Sequence, residues 1–411
     1  MPVYDAIIIG GGASGLAAAC ALARRGRRVA LLEKQDRVGR KLLSTGNGRC
    51  NLTNLNAAAK DYHGARQAVQ AALRAWPPKR VLGFFEALGI PCDADAEGRV
   101  YPRSRQAASV LDALRLGCDE AGVTTLTGFP VTGLKRVKGG FEAVAKDGRA
   151  VRARCALVCA GGLAAPKLGA CGDGYALLEG FGHGVTPRFP AIAALKVSPE
   201  AVRGLKGIRA EGEIALLAAG EVVRTEAGEL LFGEGALSGI AAMQLARQAN
   251  EALRSGRPCA VRLSLLPGAD AASALKRRAE SLPRRGMEDF LNGIVPKRLG
   301  QTLVREAGLP RDAAAGDLSP AQLARLAGVL NGWTLAVPGT LGFEQAQVTA
   351  GGVSLKDFDV RSMRSLKADG LFAAGEVLDV DGDCGGFNLQ WAWSSALLAA
   401  DGIDAALGEQ T

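Results

Sequence analysis

An apolar run near the start of the chain leads directly into a glycine-rich turn, and this junction constrains the fold more than any other feature. Residues 6–9 read Ala-Ile-Ile-Ile, which is typical of a buried parallel strand, and Gly10, Gly12 and Gly15 follow with the spacing G-x-G-x-x-G. The Ala- and Leu-rich segment 16–25 then predicts a helix. Such a strand, turn and helix bind the pyrophosphate of a dinucleotide at the positive end of the helix dipole.

The second predicted strand, residues 28–32, ends at Glu33. A carboxylate at this position accepts hydrogen bonds from ribose hydroxyls and repels a 2′-phosphate, so the pattern indicates FAD or NAD rather than NADP. A glycine turn that only packs a helix on a sheet would not require the strand, the helix and the acid in this register.

Composition limits the remaining classes of protein. The 411 residues are 48% hydrophobic and 22% charged, an ordinary globular balance that is sufficient for two or three domains. No apolar stretch reaches the about 18 residues of a membrane span, and the N-terminal run lacks a basic leader. Nine cysteines without a C-x-x-C pair favour reduced thiols, and only His63 and His183 could serve as histidine ligands. We therefore expect a cytoplasmic protein with no metal site and no membrane partner.

The net charge of +9 raises the question of nucleic-acid binding. Residues 269–329 contain ten Lys and Arg against seven Asp and Glu, so this basic-looking segment has a net charge of only three. A further run of arginines at positions 24–28 lies where the first helix ends, and cations there complement the helix C-terminus. Because the excess charge is dispersed, we expect no nucleic-acid partner.

The rest of the chain alternates between strand-like and helical patterns. Short segments over 123–153 predict an antiparallel meander, and the buried strand 155–159 that follows ends in Ala-Gly-Gly. A nucleotide fold interrupted in this way is similar to the FAD folds of the glutathione reductase type, and that resemblance favours FAD over NAD. Strand-like segments dominate 189–268, and helical spacing with prolines at the breaks dominates 269–329.

The predicted fold class is α/β, with a discontinuous Rossmann-type FAD-binding domain of the glutathione-reductase-like type. We place this domain at 1–188 and 341–411, an inserted β-barrel-like domain at 189–268 and 330–340, and a small helical domain at 269–329.

Two further segments have the composition of loops that enclose a ligand. In residues 38–54, Arg40 and Lys41 could meet phosphates, and the amides of 47–51 could reach a flavin edge; an ordinary polar loop explains the same composition equally well. Following an apolar strand, Glu376 can accept hydrogen bonds from ribityl hydroxyls. A glycine-rich turn then opens a helix near Asn388, whose dipole would favour negative charge on the pyrimidine ring of a flavin.

The same segments carry a resemblance to a known family that extends over the whole chain. The strings are GRKLLSTGNGRCNLTN at 39–54, AGG and GACGDGY within 160–175, TAGGV at 349–353 and GEVLDVDGDCGGFNLQWAWSS at 375–395. They resemble the flavoprotein family whose members are labelled aminoacetone-oxidase-like and BaiN-like. The resemblance implies bound FAD, β-barrel-like and helical insertions, and an NAD(P)- and FAD-dependent oxidoreductase. The chain departs from the family pattern at Asn47, where many relatives carry glycine, and at Cys384, where a threonine or a similar residue is common.

The predicted cofactor-binding residues are Gly10, Gly12, Ala13, Ser14, Gly15, Glu33, Lys34, Arg40, Lys41, Asn47, Gly48, Arg49, Cys50, Asn51, Val131, Ala160, Gly161, Gly375, Glu376, Gly386, Phe387, Asn388 and Leu389. No histidine lies in these segments. A general acid would therefore come from a carboxyl of the 379–383 segment, from Tyr101, from a cysteine or from water. The catalytic residues stay open, with Cys50, Asp379 and Cys384 as candidates.

The leading functional hypothesis is an FAD enzyme that takes hydride from NAD(P)H and reduces a small organic substrate at a C=C or C=N bond. No second G-x-G-x-x-G follows a strand, so NAD(P)H would visit the flavin transiently. An FAD-dependent amine oxidase that uses oxygen is the alternative. An RNA-associated flavoprotein is a more distant alternative, and it would need a continuous positive groove.

Overall fold

The computed structural model describes residues 3–409, and the chain divides into two compact units. One unit comprises Met1–Phe189 and Gln347–Thr411, and the other comprises Pro190–Ala346. The sequence predicts a separate helical domain over 269–329, whereas these helices belong to the same unit as the preceding strands. The reason is visible where the two parts meet: the Leu265 amide donates to Leu330 O (2.9 Å), and the Leu266 amide donates to Asn331 Oδ1 (2.9 Å).

The N-terminal part of the first unit contains ten strands and six helices. The strands are β1 (Val3–Ile9), β2 (Val29–Leu32), β3 (Thr53–Asn54), β4 (Tyr62–Gly64), β5 (Cys92–Ala94), β6 (Arg99–Pro102), β7 (Thr124–Leu126), β8 (Val131–Val137), β9 (Gly140–Ala145) and β10 (Ala150–Val158). The helices are α1 (Ala13–Ala23), α2 (Arg40–Ser44), α3 (Arg66–Ala75), α4 (Pro78–Glu86), α5 (Ala107–Glu120) and α6 (Asp173–Glu179).

The middle of the chain contains the strands β11 (Phe189–Ala191), β12 (Leu195–Lys196), β13 (Arg209–Ala218), β14 (Glu221–Phe232), β15 (Ala236–Ser238), β16 (Cys259–Ser264), β17 (Trp333–Val337) and β18 (Gly339–Thr340). Its helices are α7 (Ile240–Gln244), α8 (Ala246–Arg254), α9 (Ala271–Ser281), α10 (Met287–Phe290), α11 (Lys297–Glu306) and α12 (Pro320–Leu330). The last segment returns to the first unit with β19 (Val348–Ala350), β20 (Phe358–Asp359), β21 (Arg364–Ser365), β22 (Leu371–Ala373), β23 (Val380–Gly382) and α13 (Phe387–Gly408).

The central sheet of the first unit has the strand order β20-β21-β22-β10-β1-β2-β7. Strand β1 lies parallel to both β2 and β10, and Ile8 faces Leu31 on one side and Leu157 on the other. These strands are buried because helices cover them, and α1 itself packs against α5 and α13. The carboxyl ends of the parallel strands therefore form one edge, where ligands bind in folds of this type.

The predicted meander is only partly present. Strand β7 pairs parallel to β2, with Thr125 facing Leu31, so it is an edge strand of the central sheet. Its short strand-like pattern is compatible with either role, since periodicity does not report the direction of a partner strand. The meander consists of β8 and β9 together with the start of β10, whose later residues lie between β1 and β22.

The second unit contains a seven-stranded antiparallel sheet with the order β17-β16-β13-β14-β15-β12-β18. The two outermost strands are separated in sequence by Pro338 alone, which requires the sheet to curl on itself as a barrel-like insertion does. Two helices of this unit have side-chain caps: Asp270 caps α9, and Ser319 forms a capping box with Gln322 at α12. Of the helices in the described part of the chain, none combines the length and apolar character that a bilayer crossing needs.

Candidate flavin site

The glycine turn between β1 and α1 has two tightly packed positions and one open position. A Cβ on Gly10 would lie 2.5 Å from Cys159 O, and a Cβ on Gly15 would overlap Gly10 O, so both positions require glycine. A Cβ on Gly12 would meet nothing within 4 Å. No side chain of the described residues caps α1, and its first turn contains no acid, so its positive end faces open space at Gly12. This is the geometry that accepts a pyrophosphate.

The Glu33 carboxylate is oriented by two backbone amides. Gly11 N donates to Oε2 and Gln35 N donates to Oε1, each at 2.8 Å. Each carboxylate oxygen has a further lone pair for a ribose hydroxyl. The Phe129 amide donates to Glu33 O (2.8 Å), which brings the segment leading to Val131, buried at the start of β8, alongside Glu33.

Two of the cations predicted to bind the cofactor are engaged by protein groups. Lys34 forms an ion pair with Asp173 at the start of α6 (2.5 Å), and Arg40 donates to Gln35 Oε1 (2.7 Å). These contacts connect the end of β2 with α2 and with the GACGDGY string. The same string packs under the end of β10, since a Cβ on Gly174 would lie 2.9 Å from Ala160 Cβ.

Lys41 and Glu376 join two of the segments that sequence singled out. Their ion pair has an Nζ to Oε2 distance of 2.7 Å, and the side chains are 27% and 22% exposed. Glu376 Oε1 also accepts from the Thr349 amide (2.9 Å), and Thr349 Oγ1 accepts from the amides of Leu163 (2.8 Å) and Ala164 (2.9 Å). The four strings that carry the family resemblance therefore meet at one place, and Thr349 is a connecting residue that the site prediction omitted.

Helix α13 fixes the two loops on either side of its N-terminus. Trp391 Nε1 donates to Gly375 O (3.1 Å), and Trp393 Nε1 donates to Leu52 O (2.9 Å). Gln390, fully buried, donates to Trp76 O (3.0 Å) and accepts from the Thr53 hydroxyl. The two tryptophans thus serve packing and loop anchoring. The sequence signal for Gln390 is its position in the otherwise largely apolar NLQWAW string. A polar amide that is buried among apolar residues requires hydrogen-bond partners.

The N-terminus of α13 lies directly against the 51–53 loop. A Cβ on Gly386 would lie 2.5 Å from Thr53 O and 2.8 Å from Asn51 Oδ1, and Phe387 and Leu389 are half-buried beside it. The Asn388 side chain closes the preceding turn, because it accepts from Gly382 N (2.8 Å) and donates to Gly382 O (2.7 Å). The first turn of α13 contains no acid that would oppose the positive end of its dipole.

The 45–50 loop contains two residues other than glycine in the left-handed region. Asn47 has φ 54° and Cys50 has φ 57°. Asparagine tolerates this conformation and glycine adopts it freely, which explains why Asn47 can replace the glycine of the family pattern. Asn47, Gly48 and Arg49 are exposed. Cys50 is fully buried, and burial raises the pKa of its thiol to about 12, so the thiol is protonated at neutral pH.

The other catalytic candidates differ from Cys50 in their exposure. Asp379 and Cys384 are both partly exposed, on either side of β23. The Asp379 carbonyl accepts from the Ala65 amide (3.1 Å), and the Asp379 amide donates to Val353 O (2.9 Å), so its backbone is fixed between two segments. Among residues 3–409, no group of three His, Cys, Asp or Glu side chains is placed to bind a metal ion.

Tyr175 is a buried residue that sequence reasoning did not include. It ends the GACGDGY string and is 2% exposed, and its hydroxyl has no hydrogen-bond partner among the described residues. The Arg188 guanidinium carbon lies 4.8 Å from the ring centroid. Burial, reinforced by the nearby Glu376 carboxylate, raises the pKa of Tyr175 above its usual range. The hydroxyl is therefore neutral and is an available donor close to the Glu376 cluster.

These residues fit FAD. The open space at Gly12, the oriented Glu33 carboxylate and the acid-free first turn of α13 provide for a pyrophosphate, a ribose and an electron-rich ring. The fold and the site define an FAD-dependent flavoprotein oxidoreductase.

The comparisons with known proteins specify the family. The chain belongs to the HI0933-like protein Rossmann domain family, whose model matches residues 4–402. It is 37% identical to the 3-dehydro-bile acid delta(4,6)-reductase of Clostridium scindens over 398 residues, which cover 95% of this chain and 97% of that protein. It is 30% identical to the ribosomal RNA dihydrouridine synthase of Escherichia coli, over 99% of both chains. Among solved structures, the 3-ketosteroid delta1-dehydrogenase of Sterolibacterium denitrificans shares the fold, with a TM-score of 0.53, 15% identity, and coverage of 98% of this chain and 100% of that chain.

Proposed function

We propose that the protein is an FAD-dependent reductase that takes electrons from NAD(P)H and reduces a carbon–carbon double bond of a small organic substrate. The observation that supports this proposal is the Clostridium scindens relative, whose name describes reduction of the delta(4,6) double bonds of a 3-dehydro-bile acid. The Escherichia coli relative is named for making dihydrouridine, which is uridine with its ring double bond reduced. Both names describe addition of hydrogen to a C=C bond conjugated to a carbonyl group, which is the bond type we assign to this enzyme.

When bound, FAD supplies hydride transfer between the electron donor and the acceptor. We assign the pyrophosphate to Gly12, Ala13 and Ser14 at the start of α1, and the ribose to Glu33. The Lys41–Glu376 pair and the loop amides of Asn47 to Asn51 would border the ribityl chain and the flavin. The positive end of α13 at Gly386 to Leu389 would stabilise negative charge on the pyrimidine ring of the reduced cofactor.

Reduction of a conjugated double bond also requires a proton. We assign it to Asp379 or Cys384, because both side chains are partly exposed, whereas Cys50 is sealed from solvent. NAD(P)H would bind transiently, since the sequence has one dinucleotide fingerprint and the FAD assignment uses it. We place the enzyme in the cytoplasm, where its nine thiols stay reduced.

The test is anaerobic stopped-flow of the FAD-loaded protein, with the FAD-free protein as control. We expect the visible flavin absorbance to be lost on mixing with NADH or NADPH. It should return on mixing with a 3-keto-4,6-diene steroid acid, and the product should be two hydrogens heavier than that acid. Bleaching by amines alone, with return of colour on adding oxygen, would establish the amine oxidase instead. A protein that takes up no FAD would refute both assignments.

A second candidate is reduction of uridine in RNA, which the Escherichia coli relative favours. It ranks second because that relative is 30% identical and the steroid-reducing relative is 37% identical. The same reduced enzyme distinguishes the two candidates: return of the flavin colour on mixing with ribosomal RNA, with dihydrouridine found in the digested RNA, would support the second. Absence of dihydrouridine would exclude it.

A further inference from the structure

A pair of arginines beside the candidate flavin loop has no acidic partner. The Arg49 guanidinium carbon lies 5.4 Å from the centroid of the Tyr101 ring, and that of Arg105 lies 4.8 Å from the same centroid. Both arginines are exposed, whereas Tyr101 is 7% exposed and provides a fixed aromatic base for them. Neither forms an ion pair with any described residue.

Two of the nearby carboxylates are already paired with a different arginine. Arg99, two residues before Tyr101, forms ion pairs with Asp95 (2.8 Å) and Glu97 (2.7 Å). Two positive charges against one ring repel each other, and neither arginine forms an ion pair with Asp93, which faces Tyr101 across β5 and β6. The pair can therefore meet the negative charge of a ligand.

Local backbone geometry adds to the positive potential. Arg105 has φ 54°, a left-handed conformation that is unfavourable for a residue with a Cβ and that accumulates at functional sites. The chain then enters α5, a helix of 14 residues whose first turn has no acid and no side-chain cap among the described residues. Arg105 therefore lies two residues before a second positive group, the free end of α5.

The pair is also close to the candidate flavin. Strand β6 pairs antiparallel with β3, with Val100 facing Thr53, so Tyr101 lies opposite Leu52. Leu52 is the residue that Trp393 of α13 anchors, and Asn51 and Thr53 contact the N-terminus of that helix. Arg49 belongs to the same loop. The arginine pair thus lies at the outer side of the loop whose inner side borders the N-terminus of α13.

We propose that Arg49 and Arg105, braced on Tyr101, bind an oxyanion carried by the substrate and position it for the flavin. The inference rests on the proposed reductase function and adds that the substrate is anionic. The recognised group is a carboxylate if the substrate is a small acid and a phosphodiester if it is RNA, and a guanidinium pair suits either.

The experiment uses the FAD-loaded protein and two probes, the carboxylated steroid cholate and a short oligouridylate. Calorimetry should show binding of one probe to the wild type, and the double variant R49Q/R105Q should weaken it by about tenfold or more, because two charge-assisted contacts are lost. The matched control R257Q/R262Q removes the same charge from two other exposed positions and should bind like the wild type. Loss of cholate binding identifies the carboxylate source, and loss of oligouridylate binding identifies the phosphodiester source.

Two results would overturn the proposal: neither probe binds the wild type, or both double variants lose the same affinity, which would be a non-specific charge effect. Bleaching of the flavin by NAD(P)H is followed in parallel and should be equal in R257Q/R262Q and the wild type. If the wild type binds a probe through this pair but reduces no double bond, the reductase proposal fails and the anion site stands.

Discussion

The open position at Gly12 allows the fold and cofactor binding to be perturbed separately. Gly12 has φ −82° and ψ −167°, which alanine adopts without strain, and an added methyl group would meet no protein atom within 4 Å. Replacing a glycine by alanine at such a position stabilises a protein by about 0.4–1 kcal/mol, because the unfolded chain loses freedom. The FAD-free G12A variant should therefore unfold at a midpoint equal to or slightly above that of the wild type.

Cofactor binding should respond in the opposite direction. The methyl group would occupy the space that we assign to the pyrophosphate, so the phosphate would move away from the amides at the start of α1. Loss of one charge-assisted hydrogen bond costs about 1.5–3 kcal/mol, which corresponds to a rise in the FAD dissociation constant of about 10- to 150-fold. G15A differs, because its methyl group would overlap Gly10 O, and it should destabilise the FAD-free protein by about 1–3 kcal/mol.

The assay is a titration of FAD-free protein with FAD, followed by flavin fluorescence, together with thermal unfolding of each FAD-free variant. Gly83, in α4, is the matched control, because a Cβ there also meets nothing within 4 Å. G83A should bind FAD like the wild type. Wild-type affinity in G12A would refute the assignment of the pyrophosphate to this turn, and a large loss of stability in FAD-free G12A would refute the claim that the space is open.

Three further changes test other parts of the first unit. Burial lowers the pKa of His183 below 6.5, so folding favours the neutral ring. The resulting stability is complete above pH 6.5 and declines as the pH falls below it. In thermal unfolding, H183Q should flatten this decline, and the control H63Q should keep it. Y175F should stabilise the FAD-free protein by about 1–2 kcal/mol because it removes an unpartnered buried hydroxyl, and a lower midpoint would contradict this expectation. In a double-mutant cycle of K41M and E376Q, urea unfolding should give a coupling energy of about 1 kcal/mol, and additive effects would show that the pair contributes nothing.

Much of the nucleotide fold could be predicted because local pattern and tertiary role agree there. The run before Gly10 is buried on both sides as β1, and the segment after Gly12 forms α1 with ten buried residues. The direction of β7 could not be predicted, because a three-residue strand contains no information about its partner. The grouping of the helices at 269–329 with the sheet depends on single hydrogen bonds such as that of Leu266 with Asn331, which no periodicity reports.

The sequence could predict which segments form the site. It could not predict which groups their side chains contact. The four strings of the family resemblance meet around Thr349 and Glu376, yet Thr349 itself carries no special signal, since a threonine in a strand is usually a packing residue. Tyr175 carries no special signal either, since a tyrosine in a helix is also usually a packing residue. Conversely, the left-handed conformation at Asn47 could have been anticipated, because an asparagine between two glycines is typical of positive φ.

The pairing of the predicted cations changes how the cofactor's charge is balanced. Lys34, Arg40 and Lys41 each engage a protein group, Asp173, Gln35 and Glu376 respectively, so their charge is largely committed within the protein. The first turns of α1 and α13 contain no acid, and both helices begin at the candidate site. Helix dipoles are fixed by the backbone and reorganise little when charge appears, whereas lysine side chains would have to leave their partners. We therefore expect neutralisation of Lys34 or Lys41 to affect FAD affinity less than displacement of the backbone at Gly12.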